Sequence, residues 1–139
     1  MLSIRELRKG DLESLRHFTD REIGTGYYSD QELSGIFDRS EKNGVMYSLV
    51  LCDSQGEIQG MRFTYPPGNW NEGKGQGLTP ERWPHPKQET AYFQSLFLSA
   101  GLQGQGWGGK LSSEALSRLK VSGAKGVVCH SWKQSPNNS

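Results

Sequence analysis

The residues best suited to chemistry lie in one run, Gln103-Gly-Gln-Gly-Trp-Gly-Gly-Lys110. Glycines let the backbone approach a ligand closely and reach conformations other residues avoid. The run follows an apolar stretch with strand character and opens a stretch with helical spacing. The first N–H groups of a helix have no intrahelical partner, and the helix dipole favours negative charge there. Glycine-rich backbone, exposed N–H groups and a following lysine together make a cradle for a diphosphate. The plainer reading is a glycine-rich turn that binds nothing.

Three ligand patterns overlap in this run. Gly104-x-Gly106-x-x-Gly109 fits the dinucleotide fingerprint, which wants an acid at the end of the next strand. No acid occurs after Glu114. Gly104 and Gly109-Lys110 also fit a phosphate-binding P-loop, which then wants Ser or Thr for magnesium. The next residue is Leu111. The third pattern is Q/R-x-x-G-x-G/A, met by Gln103, Gly106 and Gly108.

The elements that must position the run can be read from periodicity. Leu2, Ile4 and Leu7 suggest a first strand ended by Gly10. Asp11 caps a helix to about Arg21, with Leu12, Leu15 and Phe18 on one face. Ser29 and Glu32 form a capping box for a second helix carrying Leu33, Ile36 and Phe37, which Asn43-Gly44 stops. Val45–Cys52 and Ile58–Tyr65 read as a hairpin around Asp53–Gly56. Residues 66–88 are rich in proline and glycine, without periodicity, and read as a long ordered loop. Ala91–Leu98 is an apolar strand and Lys110–Val121 a helix capped by Gly123. Gly126–Trp132 reads as a strand buried on both faces, joined to the previous one by a right-handed crossover.

This order, together with the third pattern and the hairpin turn Asp53–Gly56 before Ile58-Gln59-Gly60, resembles GNAT-type acetyl-CoA-dependent N-acetyltransferases over the whole chain. The resemblance implies an α/β (α+β) domain with a mixed central sheet flanked by helices, in the order β-α-α-β-β-β-α-β. It implies that the fourth and fifth main strands splay apart and that acetyl-CoA lies between them as co-substrate. The backbone of Leu96, Phe97 and Leu98 would hold the pantetheine arm, and an N–H from this stretch would polarise the thioester carbonyl and stabilise the oxyanion. The amides of Gln103, Gly104, Gln105, Gly106, Trp107, Gly108 and Gly109, with Lys110, would take the pyrophosphate. The acceptor would be a small-molecule or peptide amine. Its base would be Glu89 or His85, although Glu89 also reads as a solvated residue and His85, between prolines, as structural. Tyr27, Tyr28, Trp70 and Trp83 would wall the acceptor site, or simply pack.

One departure bears on catalysis. The family continues past the fifth strand with a helix and two more strands, and a tyrosine on that helix often protonates the leaving thiolate. Here Asn137-Asn138-Ser139 closes the sequence. The asparagines resemble the lead into that helix, and Asn138 is expected to touch the coenzyme. Either the chain is shortened, or a second copy in a homodimer supplies the missing surface. Rival readings are a CoA-binding module without turnover and a nucleotide-binding protein using the same run.

Composition sets the outer bounds. The 139 residues suffice for one domain with one core. A net charge of +1 gives no global reason for nucleic acid or an anionic membrane. Cys52 and Cys129 lack metal-ligand spacing and read as buried thiols, with no metal expected. The charged N-terminus argues against a signal peptide, and no apolar run is long enough to span a membrane, so a cytoplasmic location is expected.

Overall fold

The structure is a computed structural model that describes residues 1–70 and 86–129. The chain begins with strand β1 (Ser3–Glu6) and helices α1 (Leu12–Glu22) and α2 (Asp30–Arg39). A two-residue hairpin follows, β2 (Glu41–Lys42) and β3 (Val45–Met46), then β4 (Leu49–Cys52) and β5 (Ile58–Tyr65). After residue 85 come β6 (Thr90–Leu98), helix α3 (Trp107–Val121) and β7 (Gly126–Cys129). The main sheet has the order β1-β4-β5-β6-β7. Its first three pairings are antiparallel, and β6 runs parallel to β7 as the crossover requires.

Alternation along the strands builds two cores. Val50, Cys52, Met61, Phe63 and Tyr65 face α1 and α2, where Leu15, Phe18, Leu33 and Ile36 are buried. Leu49, Leu51, Leu96 and Leu98 face α3 through Leu111 and Ala115. Burying one such side chain contributes about 1.5–3 kcal/mol.

Local chemistry explains the elements and corrects some expectations. The Ser29–Glu32 capping box is present, with Glu32 N–H on Ser29 Oγ (3.0 Å) and Ser29 N–H on Glu32 Oε1 (2.9 Å). Asp11 is the N-cap residue of α1 as expected, but its carboxylate makes no capping bond and instead accepts both terminal nitrogens of Arg5 (2.8 and 2.9 Å) and the Arg8 N–H (2.7 Å). It secures the 3₁₀ turn ahead of the helix. Asn43 and Gly44, both at positive φ, turn the β2–β3 hairpin, whereas α2 already ends at Arg39. Val45–Cys52 is not one strand. The buried Ser48 hydroxyl takes the Thr64 N–H (2.8 Å) and contacts Ser40 Oγ (2.6 Å), interrupting regular pairing. Cys52 is buried, and burial pushes its thiol above the usual range. Among the described residues no helix is long and apolar enough to cross a membrane.

Candidate functional site

The site is organised by an irregularity in β6. Phe63 pairs with Ser95, but the next residue, Thr64, pairs with Phe93, so Gln94 is an extra residue in β6. A β-bulge bends its strand and leaves one residue out of the ladder. It also swaps faces. Before the bulge, Ala91 and Phe93 face α3, and after it Leu96 and Leu98 do. Simple alternation from Phe93 would have put Ser95 and Phe97 there instead. Phe97 thus packs with the α1/α2 core.

The glycine run sits where β6 turns into α3. Gln103 Nε2 donates to the Leu98 carbonyl (3.3 Å), which fixes the run to the strand end. The helix starts at Trp107, three residues before the expected Lys110, because Gly106 turns through a left-handed conformation (φ 88°) just ahead of it. Lys110 N–H makes the first helical bond, to the Gly106 carbonyl (3.1 Å). The N–H groups of Trp107, Gly108 and Gly109 precede that bond and have no place in the helical ladder.

The glycines divide into two kinds. A Cβ on Gly108 would lie 3.2 Å from Leu96 Cδ2, so this glycine lets helix and strand approach. A Cβ on Gly104, Gly106 or Gly109 would meet nothing within 4 Å. Those three face open space, and Gly104 and Gly106 need positive φ as well. Lys110 Nζ lies 4.2 Å from the centroid of the Trp107 ring, leaving a cation beside the exposed amides. The arrangement fits a diphosphate: helix-start N–H groups outside the helical ladder lie among glycines that face open space. A groove of about 670 Å³ extends from Gly106 and Lys110 along Ser113 and Ser117 towards Ile4 of β1. It lies on the β1 side of α3.

The α1–α2 connection covers the middle of β6. The Tyr27 ring meets Phe97 edge-on at 5.7 Å and Tyr28 at 4.8 Å. Tyr27 is 46% exposed and Tyr28 only 8%. The Tyr28 hydroxyl lies 3.1 Å from Ser95 Oγ and 3.4 Å from Gln94 Oε1, while Ser95 Oγ–H donates to the same Oε1. Burial pushes the Tyr28 phenol up to about 12, so it stays protonated. Glu22, at the end of α1, accepts the Ala100 N–H (3.1 Å) and ties α1 to the turn before the glycine run. Its carboxyl is held below the usual range by the Arg21 hydrogen bond and that N–H.

The other expected residues fall elsewhere. Glu89 sits at the far end of β6 from the glycine run, with its carboxylate 3.6 Å from Lys125 Nζ and its carbonyl accepting the Lys125 N–H (2.8 Å). Trp70 is buried, and its indole N–H donates to the Thr90 carbonyl (2.9 Å). Its ring lies 5.1 Å from Tyr92, so it packs under the start of β6. Trp83, His85 and Asn138 lie outside the described residues, as does any splay of β6 and β7 beyond the Phe93–Cys129 pair. Sequence reasoning placed Gln94 deeper on this strand than Glu89 but missed its cluster with Ser95 and Tyr28. Two adjacent polar residues inside Thr90–Leu98 were the available signal, since they break an otherwise apolar strand.

The mixed five-stranded sheet with its three helices matches the fold of GNAT-type acetyltransferases. Among solved structures, the chain is similar to a GNAT family acetyltransferase from Brucella melitensis in complex with acetyl-CoA. The two are 25% identical over 93% of this chain and 75% of that one, with a TM-score of 0.59. It is similar to AAC(6')-Iy in complex with a bisubstrate analog, at 12% identity, 97% and 82% coverage and a TM-score of 0.67. A transcriptional regulator from Bacillus halodurans C-125 matches at 22% identity, 98% and 85% coverage and a TM-score of 0.64. No family model matches the chain, and no curated protein does.

Proposed function

We propose that this chain transfers an acetyl or related acyl group from acyl-CoA to an amine. The observation that carries the reading is the head of α3. Open N–H groups at Trp107–Gly109, glycines facing empty space and Lys110 form a diphosphate cradle at the end of a bulged strand. Proteins of similar fold solved with acetyl-CoA or a CoA bisubstrate analog support CoA as the diphosphate. The pantetheine arm then lies along β6, against the backbone of Leu96–Leu98. The amine enters from the α1/α2 side, where Tyr27 is exposed beside Phe97. Its nitrogen, once deprotonated, attacks the thioester carbon. The C–N bond forms, the C–S bond breaks and CoA leaves as the thiolate, which takes up the proton that the acylated nitrogen gives up. Glu89, in the turn just before β6, is the carboxylate that takes the proton, relayed through water.

A second reading, a CoA-binding module without turnover, draws on the ion pair between Glu89 and Lys125, which occupies the base candidate. Two measurements test the proposal. CoA should raise the melting temperature while ATP and NAD should not, and acetyl-CoA with a panel of amines should release thiol. Stabilisation without thiol release would favour the module. Stabilisation by ATP or NAD alone would overturn the CoA assignment.

A further inference from the structure

We infer that the side-chain carboxamide of Gln94 donates a hydrogen bond to the acyl carbonyl oxygen during transfer, held in place by Ser95 and Tyr28. The inference rests on the acyltransferase reading and names a residue for it.

Three observations converge on Gln94. It is the extra residue of the β6 bulge, so it is aimed independently of the ladder. Its Oε1 is the point on which the Ser95 and Tyr28 hydroxyls converge. Its Nε2, with two N–H donors, is therefore turned away from them. Tyr28 is buried under Tyr27 and remains a donor, because burial holds its phenol protonated. A carboxamide clamped through its oxygen by two side chains is pre-organised, and a fixed donor where negative charge develops is the kind that lowers a barrier.

Reach places the reacting carbon there. Gln103 docks on the Leu98 carbonyl, marking the diphosphate end of β6. The pantetheine arm has about as many chain atoms as four extended residues, or ~14 Å. Counting back from Leu98 to Gln94 along β6 covers about 13 Å. A thioester on an arm laid along the strand therefore arrives at the bulge. Glu89 lies five residues further on, on the far side of that point from the glycine run.

The probe is acetyl-CoA carrying ¹³C at the acetyl carbonyl, read by infrared difference spectroscopy on the protein. A donor at the carbonyl oxygen lowers the stretching frequency of the bound thioester below that of free acetyl-CoA. Gln94→Leu should move the band back towards the free position while acetyl-CoA still raises the melting temperature as in the wild type. Tyr28→Phe keeps the ring and removes only the clamp, and should give a broader, less shifted band. With an amine acceptor found by thiol release, Gln94→Leu should lower kcat by about 10²-fold with little change in the KM for acetyl-CoA. A band equally shifted in wild type and both variants would overturn the inference and leave the acyltransferase reading standing. A wild-type protein that acetyl-CoA does not stabilise would overturn both.

Discussion

Gly108 of α3 lies so close to Leu96 of β6 that a Cβ there would stand 3.2 Å from Leu96 Cδ2. One residue on, Gly109 faces open space. This contrast within one motif separates glycines that pack from glycines that a ligand would need, and it gives a clean way to test the site.

Gly109→Glu places a carboxylate before the exposed amides without a positive φ to strain it. Within the first turn of α3 an acid favours the helix by about 0.3–1 kcal/mol. The free protein should therefore be unchanged or slightly more stable, while stabilisation by CoA disappears. Paired melting curves with and without CoA check this. A CoA-induced shift equal to that of the wild type would remove the site from α3.

Gly106 is different in kind. At φ 88° any side chain is strained, although there is room for it. Gly106→Ala should lower stability by about 1–2 kcal/mol even without ligand. Chemical denaturation would record the loss as a lower midpoint with unchanged slope.

Gly60 of β5 faces Leu98 across the sheet. A Cβ on it would lie 2.7 Å from Leu98 Cδ2 and 3.0 Å from the Phe97 carbonyl oxygen. The second contact is backbone and cannot swing aside. Gly60→Ala should cost about 1–3 kcal/mol through overpacking. It should also weaken CoA binding, because the Leu98 carbonyl anchors Gln103. Calorimetric titration with CoA measures the second effect.

The Arg5–Asp11 pair gives an acid-side dependence. Burial works against the Asp11 charge, but the Arg5 and Arg8 hydrogen bonds outweigh it and hold the carboxyl below its ordinary value. A carboxyl depressed in the folded state contributes stability above its unfolded pKa, near 3.9, and loses it as pH falls through the folded value. Asp11→Asn should therefore cost about 1–2 kcal/mol at neutral pH. The gap between variant and wild type should close in acid. A gap of constant size from neutral pH down to about pH 2 would contradict the assignment.

Glu89→Gln tests the proposed base. Its pairing with Lys125 is partly exposed, so stability should change by less than about 1 kcal/mol. Loss of a general base slows transfer by about 10²–10⁴-fold. Unchanged thiol release in this variant would remove Glu89 from the mechanism.

Much of this was written locally in the sequence. The Ser29–Glu32 box, the span of β5, the glycine run before a helix and the order of the main elements all follow from neighbouring residues. Each depends on hydrogen bonds or alternation within a few positions. What the sequence alone could not decide were effects between distant segments. Ser48 breaks a continuous apolar run because its hydroxyl meets Thr64 and Ser40. Asp11 serves Arg5 instead of its own helix. The bulge at Gln94 reverses which residues of β6 face α3, and only pairing with β5 fixes where the extra residue falls. The meeting of Tyr28 with Ser95 joins residues 67 positions apart. The glycine-rich turn proposed as a diphosphate cradle is thus legible in the sequence, since one strand-to-helix turn contains it. The surface where chemistry would occur is a property of the fold, because packing α1 and α2 across the sheet brings its groups together.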